Sequence, residues 1–68
     1  MNNATQASQF ASDIFSATRK FNGLLQSEFA SVVESSQATI SKIESGTMSV
    51  ELELWFNLLR KFKIIIKF

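Results

Sequence analysis

Gln26-Ser27-Glu28-Phe29-Ala30-Ser31-Val32-Val33, the break Glu34-Ser35-Ser36, and Gln37-Ala38-Thr39-Ile40-Ser41-Lys42-Ile43-Glu44-Ser45-Gly46 form the stretch that decides the fold. In its first segment Phe29, Ala30 and Val33 recur at the spacing of one helix face, so a helix is expected over Gln26–Val33. In its second segment Ile40 and Ile43 do the same over Gln37 to Glu44 or Ser45. Ser36 suits the cap that starts that helix, and Gly46 the left-handed residue that stops it.

Outward from this stretch the chain keeps a helical period. Toward the N-terminus, Ala7, Phe10, Ala11, Ile14, Ala17, Thr18 and Phe21 are spaced by threes and fours, which predicts an amphipathic helix from about Thr5 to Phe21 with that set inward. Asn22-Gly23 ends it, and residues 1–5 are polar and expected to be flexible. Toward the C-terminus, Ser49 is the expected cap of a fourth helix, with Glu51 and Glu53 favourable in its first turns. Its apolar positions are Leu52, Trp55, Leu58, Leu59 and Phe62. Trp55 and the phenylalanines are expected in the core, with at most one left for a partner. From Phe62 the period changes to two: Phe62, Ile64, Ile66 and Phe68 alternate with Lys63, Ile65 and Lys67, the pattern of a strand. A lone strand needs a neighbour for its backbone groups, and the obvious neighbour is the same strand of a second copy. A membrane-surface anchor, with Arg60, Lys61, Lys63 and Lys67 beside apolar groups, and a frayed tail are competing readings of these residues.

The expected fold is therefore all-α: one domain over residues 6–62 built from four helices, followed by a dimerisation strand over 63–68 carrying Ile64, Ile65, Ile66 and Phe68 on its faces. Sixty-eight residues make at most one small domain, with only about 60% of the unfolded surface buried, so self-association is the available source of extra stability. The 46% apolar and 19% charged residues are a globular composition. With no Cys and no His, disulfides, thiol chemistry, zinc sites and His-based catalysis are excluded, and no nucleophile–base pair speaks for an enzyme; no cofactor or metal is expected. The N-terminus has neither a basic nor an apolar leader region, and the longest strictly apolar run is Ile64-Ile65-Ile66, so a cytoplasmic protein without membrane association is expected. Seven Lys/Arg against six Asp/Glu leave a net charge of +1, unlike the broad basic surface of a nonspecific nucleic-acid binder.

Two short helices joined by a three-residue break have the dimensions of a helix-turn-helix. The residues Gln26 to Val33 (Q-x-x-apolar-A-x-x-apolar) and Ile40 to Gly46 (I-S-basic-apolar-E-x-G) resemble the lambda/434-repressor, or Cro/XRE, family over about 40 residues from Arg19 to Phe62. That resemblance implies a DNA-binding transcriptional regulator, a repressor acting as a homodimer on a palindromic double-stranded DNA operator. With Ile40 and Ile43 inward, Gln37, Ala38, Ser41, Lys42 and Ser45 form the outward face of the third helix, whose amides, hydroxyls and single cation can meet base edges. Gln37 could pair with adenine, and Lys42 could reach guanine or a phosphate. The resemblance adds Gln26 as a phosphate contact and Ser36 and Ser45 as backbone or base contacts. It also implies a structural ion pair between Arg19 and Glu44, and it marks Glu34 as a departure, because the family usually has Gly at the start of the turn. The sequence after the last helix is similar to that of the HipB-type antitoxins, which repress their own operon and contact a kinase-like toxin. A phage-type repressor or a restriction-modification controller fits the same motif. A protein-interaction module that kept the fold without operator reading is the alternative from another class, favoured by Glu34, Ala38 and the modest charge.

Overall fold

The computed structural model describes residues 3–62, and among them the chain is all-helical: α1 (Asn3–Phe21), α2 (Gln26–Val32), α3 (Gln37–Glu44) and α4 (Leu52–Phe62). The expected strand over 63–68, with Ile64, Ile65, Ile66 and Phe68, lies outside the described residues. α1 begins at Asn3, so residues 3–5, expected to be flexible, are its first turn.

Three helices end in the same way. Gly23 (φ 66), Glu34 (φ 61) and Gly46 (φ 79) each take the left-handed conformation one residue beyond the last capped position. In each case the next two amides turn back into the helix: Gly23 and Leu24 donate to Lys20 and Arg19, Glu34 and Ser35 to Ser31 and Ala30, Gly46 and Thr47 to Ile43 and Lys42. This paired 5→2 and 6→1 closure satisfies carbonyls that the helix end would leave open. α3 starts as the sequence suggests, with the Ser36 hydroxyl accepting from the Thr39 amide at 3.1 Å. For α2 the N-cap position holds Leu25, which offers no side-chain acceptor, and Glu28 instead takes the Leu25 amide at 2.8 Å.

The core collects Ala11 and Phe15 from α1, Phe29, Ala30 and Val33 from α2, Ile40 and Ile43 from α3, and Leu58 from α4. Phe15 stands edge-on to Phe29 (centroids 5.9 Å apart) and to Trp55 (5.2 Å), and Phe62 stacks obliquely on Phe29 at 5.3 Å. The apolar positions expected inward on α2 and α3 are all buried, while Phe62 at the end of α4 is half-buried.

Two expectations about the core are corrected. On α1 the inward residues are Ala11, Ser12 and Phe15, whereas Ala7, Phe10, Ala17 and Phe21 are exposed, Phe21 to 91%. The helix carries two overlapping apolar stripes, and the one containing Phe15 faces α2 and α3. The phenylalanines, expected in the core with at most one left for a partner, are less enclosed than that: Phe10 and Phe21 on α1 and Phe56 on α4 all face outward. The start of α4 also moves. The helix begins at Leu52, with the Trp55 amide donating to the Glu51 carbonyl at 3.1 Å, so Glu51 and not Ser49 is its first acceptor, and Leu52 is exposed.

Candidate nucleic-acid interface

α3 is eight residues long and buries Ile40 and Ile43, and this orients everything else on it. Successive residues rotate by about 100° around a helix, so Gln37, Ala38, Ser41 and Lys42 fall on the opposite side. All four are exposed, as is Ser45 just after the helix. The candidate face is therefore assembled on one continuous element, open to solvent, with Ala38 between longer neighbours and Lys42 the one cation on α3.

The polar groups at its margins differ in how free they are. The Ser36 hydroxyl caps the helix and donates to Thr39 Oγ1 at 2.9 Å, so it is engaged within its own turn. Ser45 Oγ donates to the Lys42 carbonyl at 2.9 Å and sits 3.0 Å from Thr47 Oγ1, which itself reaches that carbonyl at 3.1 Å. Ser36 and Ser45 thus bracket the face while closing the two ends of α3.

Gln26 and Gln37, the first residues of α2 and α3, are joined: Gln37 Nε2 donates to Gln26 Oε1 at 2.8 Å. Gln26 Nε2 in turn donates to Glu44 Oε1 at 3.3 Å. Glu44 is held by Arg19 through two parallel bonds, Nε to Oε2 at 2.7 Å and Nη2 to Oε1 at 3.0 Å, and Arg19 Nη1 also donates to the Leu24 carbonyl at 3.0 Å. With side chains only 17% and 9% exposed, this fork-to-fork pair is screened far less than a surface pair. Its hydrogen bonds to Glu44, reinforced by the attraction of the carboxylate, raise the Arg19 pKa against the opposing effect of burial. Arg19 and Glu44 were expected to meet. The onward path through Gln26 to Gln37 was not, although the Gln at the head of each helix is its visible sign.

Two further residues were missed. The Ser12 hydroxyl donates to the Glu44 carbonyl, closing the C-terminal end of α3 against α1. Ser12 lies seven residues before Arg19, two turns along the same face, which is the signal that could have found it. Asn57 Nδ2 donates to the Val33 carbonyl at 3.0 Å and accepts from Arg60 at 2.8 Å, which ties α4 to the turn between α2 and α3. The Glu34 carboxylate lies 3.8 Å from both Arg60 and Lys61, in exposed ion pairs.

Among the described residues no His/Cys/Asp/Glu group could hold a metal ion, and no helix is long and apolar enough to cross a membrane. A family model described as helix-turn-helix, of the lambda/Cro type, matches residues 17–64, well over half of the chain. No curated protein and no solved structure matches it. The chain belongs to the helix-turn-helix family, a family of DNA-binding transcription regulators.

Proposed function

From that membership, we propose that this protein is a sequence-specific repressor that lays α3 in the major groove and binds a palindromic operator as a pair of copies. The observation that carries the reading is the hydrogen bond from Gln37 to Gln26. It uses one amide proton of Gln37 and leaves the other, together with Oε1, for a bidentate contact with the N7 and N6 edge of adenine. Gln26, held from behind by Glu44, keeps the pair in place and presents its own amide toward a phosphate. Ala38 permits close approach, Ser41 is a short adaptable donor and acceptor, and Lys42 reaches guanine or a phosphate. Ser36 and Ser45 lie where the sugar–phosphate backbone passes, their hydroxyls retaining acceptor capacity.

Two copies are part of the proposal because one copy offers few cations. Half-sites about one helical turn apart, near 34 Å, would let each copy read one of them. The antitoxin version, with a kinase-like toxin as second partner, rests on the sequence pattern of residues 62–68 and is tested by the neighbouring gene.

The discriminating experiment is a mobility-shift titration on the DNA upstream of the protein's own gene, with a scrambled duplex as control. Wild type is expected to prefer the upstream DNA. Gln37→Ala is expected to reduce that preference by roughly 10- to 100-fold, the worth of one bidentate base contact, while binding to the scrambled duplex changes little. Equal affinity of wild type for both duplexes would overturn sequence-specific reading and favour the protein-interaction alternative.

A further inference from the structure

α1 presents a second apolar seam that the described residues cover only in part, Ile14 packing against the core and Phe10 against Trp55. Ala7, Phe10, Ile14, Ala17 and Phe21 are spaced three, four, three, four, the strict a/d pattern of a helix that packs against another helix. Phe10, Ala17 and Phe21 are exposed and Ile14 half-buried. The opposite side of the same helix carries Ser12 and Arg19, both bonded to Glu44 at the end of α3. The seam therefore points away from α3, and covering it leaves the candidate DNA face free.

We propose that this seam is the contact between two copies of the chain, packed as antiparallel α1 helices about a two-fold axis. The occupant follows from self-complementarity and charge. An isologous pairing places each residue opposite one whose number sums with its own to a constant. With Ile14 opposite Ala17 of the second copy, Phe10 meets Phe21 of the second copy, a bulky exposed ring beside another. In the same register Asp13 and Lys20 lie on one flank of the seam, and Asp13 comes within two residues, about 3 Å of helix rise, of the level of Lys20 of the second copy, an offset both side chains can span; this ion pair occurs twice. At roughly 200 Å² for a phenylalanine, the 56% and 91% exposure of Phe10 and Phe21 already supplies on the order of 300 Å² per copy. Trp55, its ring centroid 6.1 Å from that of Phe10, joins the seam to α4, a helix that also carries the exposed Leu52 and Phe56. The total stays at the small end of specific interfaces, so the dimer is reversible.

The test uses the full chain and does not depend on DNA, so it can fail or succeed apart from the proposed operator binding. Sedimentation of wild type across a concentration series is expected to show a monomer–dimer equilibrium. The double variant Phe10→Lys, Phe21→Lys, altered only at exposed sites, is expected to be monomeric with an unchanged helical circular-dichroism spectrum. Asp13→Lys alone and Lys20→Asp alone are each expected to weaken the dimer roughly fivefold to tenfold, and the two together to restore it, which fixes the register. A dimer that survives the double Lys variant overturns the proposal. So does a dimer lost on deletion of residues 63–68, which assigns the contact to that segment. A wild type that is monomeric throughout, and associates only when 63–68 is removed, shows the seam covered by the chain's own tail and overturns it equally.

Discussion

At Arg19 one guanidinium serves both oxygens of Glu44 and the Leu24 carbonyl, so a single side chain joins the end of α1, the loop after it and the end of α3. Removing it would leave Glu44 enclosed with only Gln26 as a side-chain partner. Arg19→Ala is expected to cost about 2–4 kcal/mol, toward the lower side of values for wholly buried pairs because both groups keep some solvent contact. For a domain of this size, thermal unfolding should then fall by roughly 10 °C or more, while the exposed neighbour Lys20→Ala changes little. Equal melting temperatures would show that the pair carries no such weight. Since the raised pKa keeps the guanidinium charged up to strongly alkaline pH, the contribution of its ionisation to stability is present at neutral pH and is lost as pH rises into the strongly alkaline range.

Helix by helix, legibility tracks how many solutions the apolar spacing allows. α2 and α3 are short, each with a single stripe and a Ser or Gly marking a boundary, and their inward residues, the Ser36 cap and the turn at Glu34 could all be read directly. α1 is longer and admits two stripes, Ala7-Phe10-Ile14-Ala17-Phe21 and Ala11-Phe15-Thr18, and nothing within α1 says which one meets the core. The choice is made by its partners: Phe29 and Trp55 enclose Phe15, and Glu44 takes Ser12 and Arg19. The start of α4 was misplaced as well, since Ser49 is a good cap by type but the first acceptor is Glu51, two residues later. Phe15→Ala should therefore cost about 3–5 kcal/mol. Phe21→Ala, measured in protein dilute enough to keep copies apart, should cost no more than about 0.5 kcal/mol. Chemical denaturation of the two variants checks the assignment of faces, and a larger loss for Phe21 would reverse it.

Across the whole molecule, charge is sparse and partly spoken for. The net charge is +1, Arg19 is committed to Glu44, and Arg60 and Lys61 stand beside Glu34. Few cations remain to displace counterions from DNA, so the logarithm of the binding constant should fall with the logarithm of salt at a slope no steeper than about −5 for a pair of copies. A slope near −10 would mean that many more phosphates are gripped than this surface supplies. Composition made the low charge plain, but only the folded chain reveals that the Glu34 carboxylate draws Arg60 and Lys61 to itself. Glu34 has another consequence. Its backbone sits at φ 61, where glycine would rest without strain, and the two exposed ion pairs it would forfeit are worth little. Either glutamate codon becomes a glycine codon by changing one base, so a gain of roughly 1 kcal/mol lies a single nucleotide away. A lineage carrying this gene can accept one damaging substitution elsewhere in the domain and recover by the shortest mutational route.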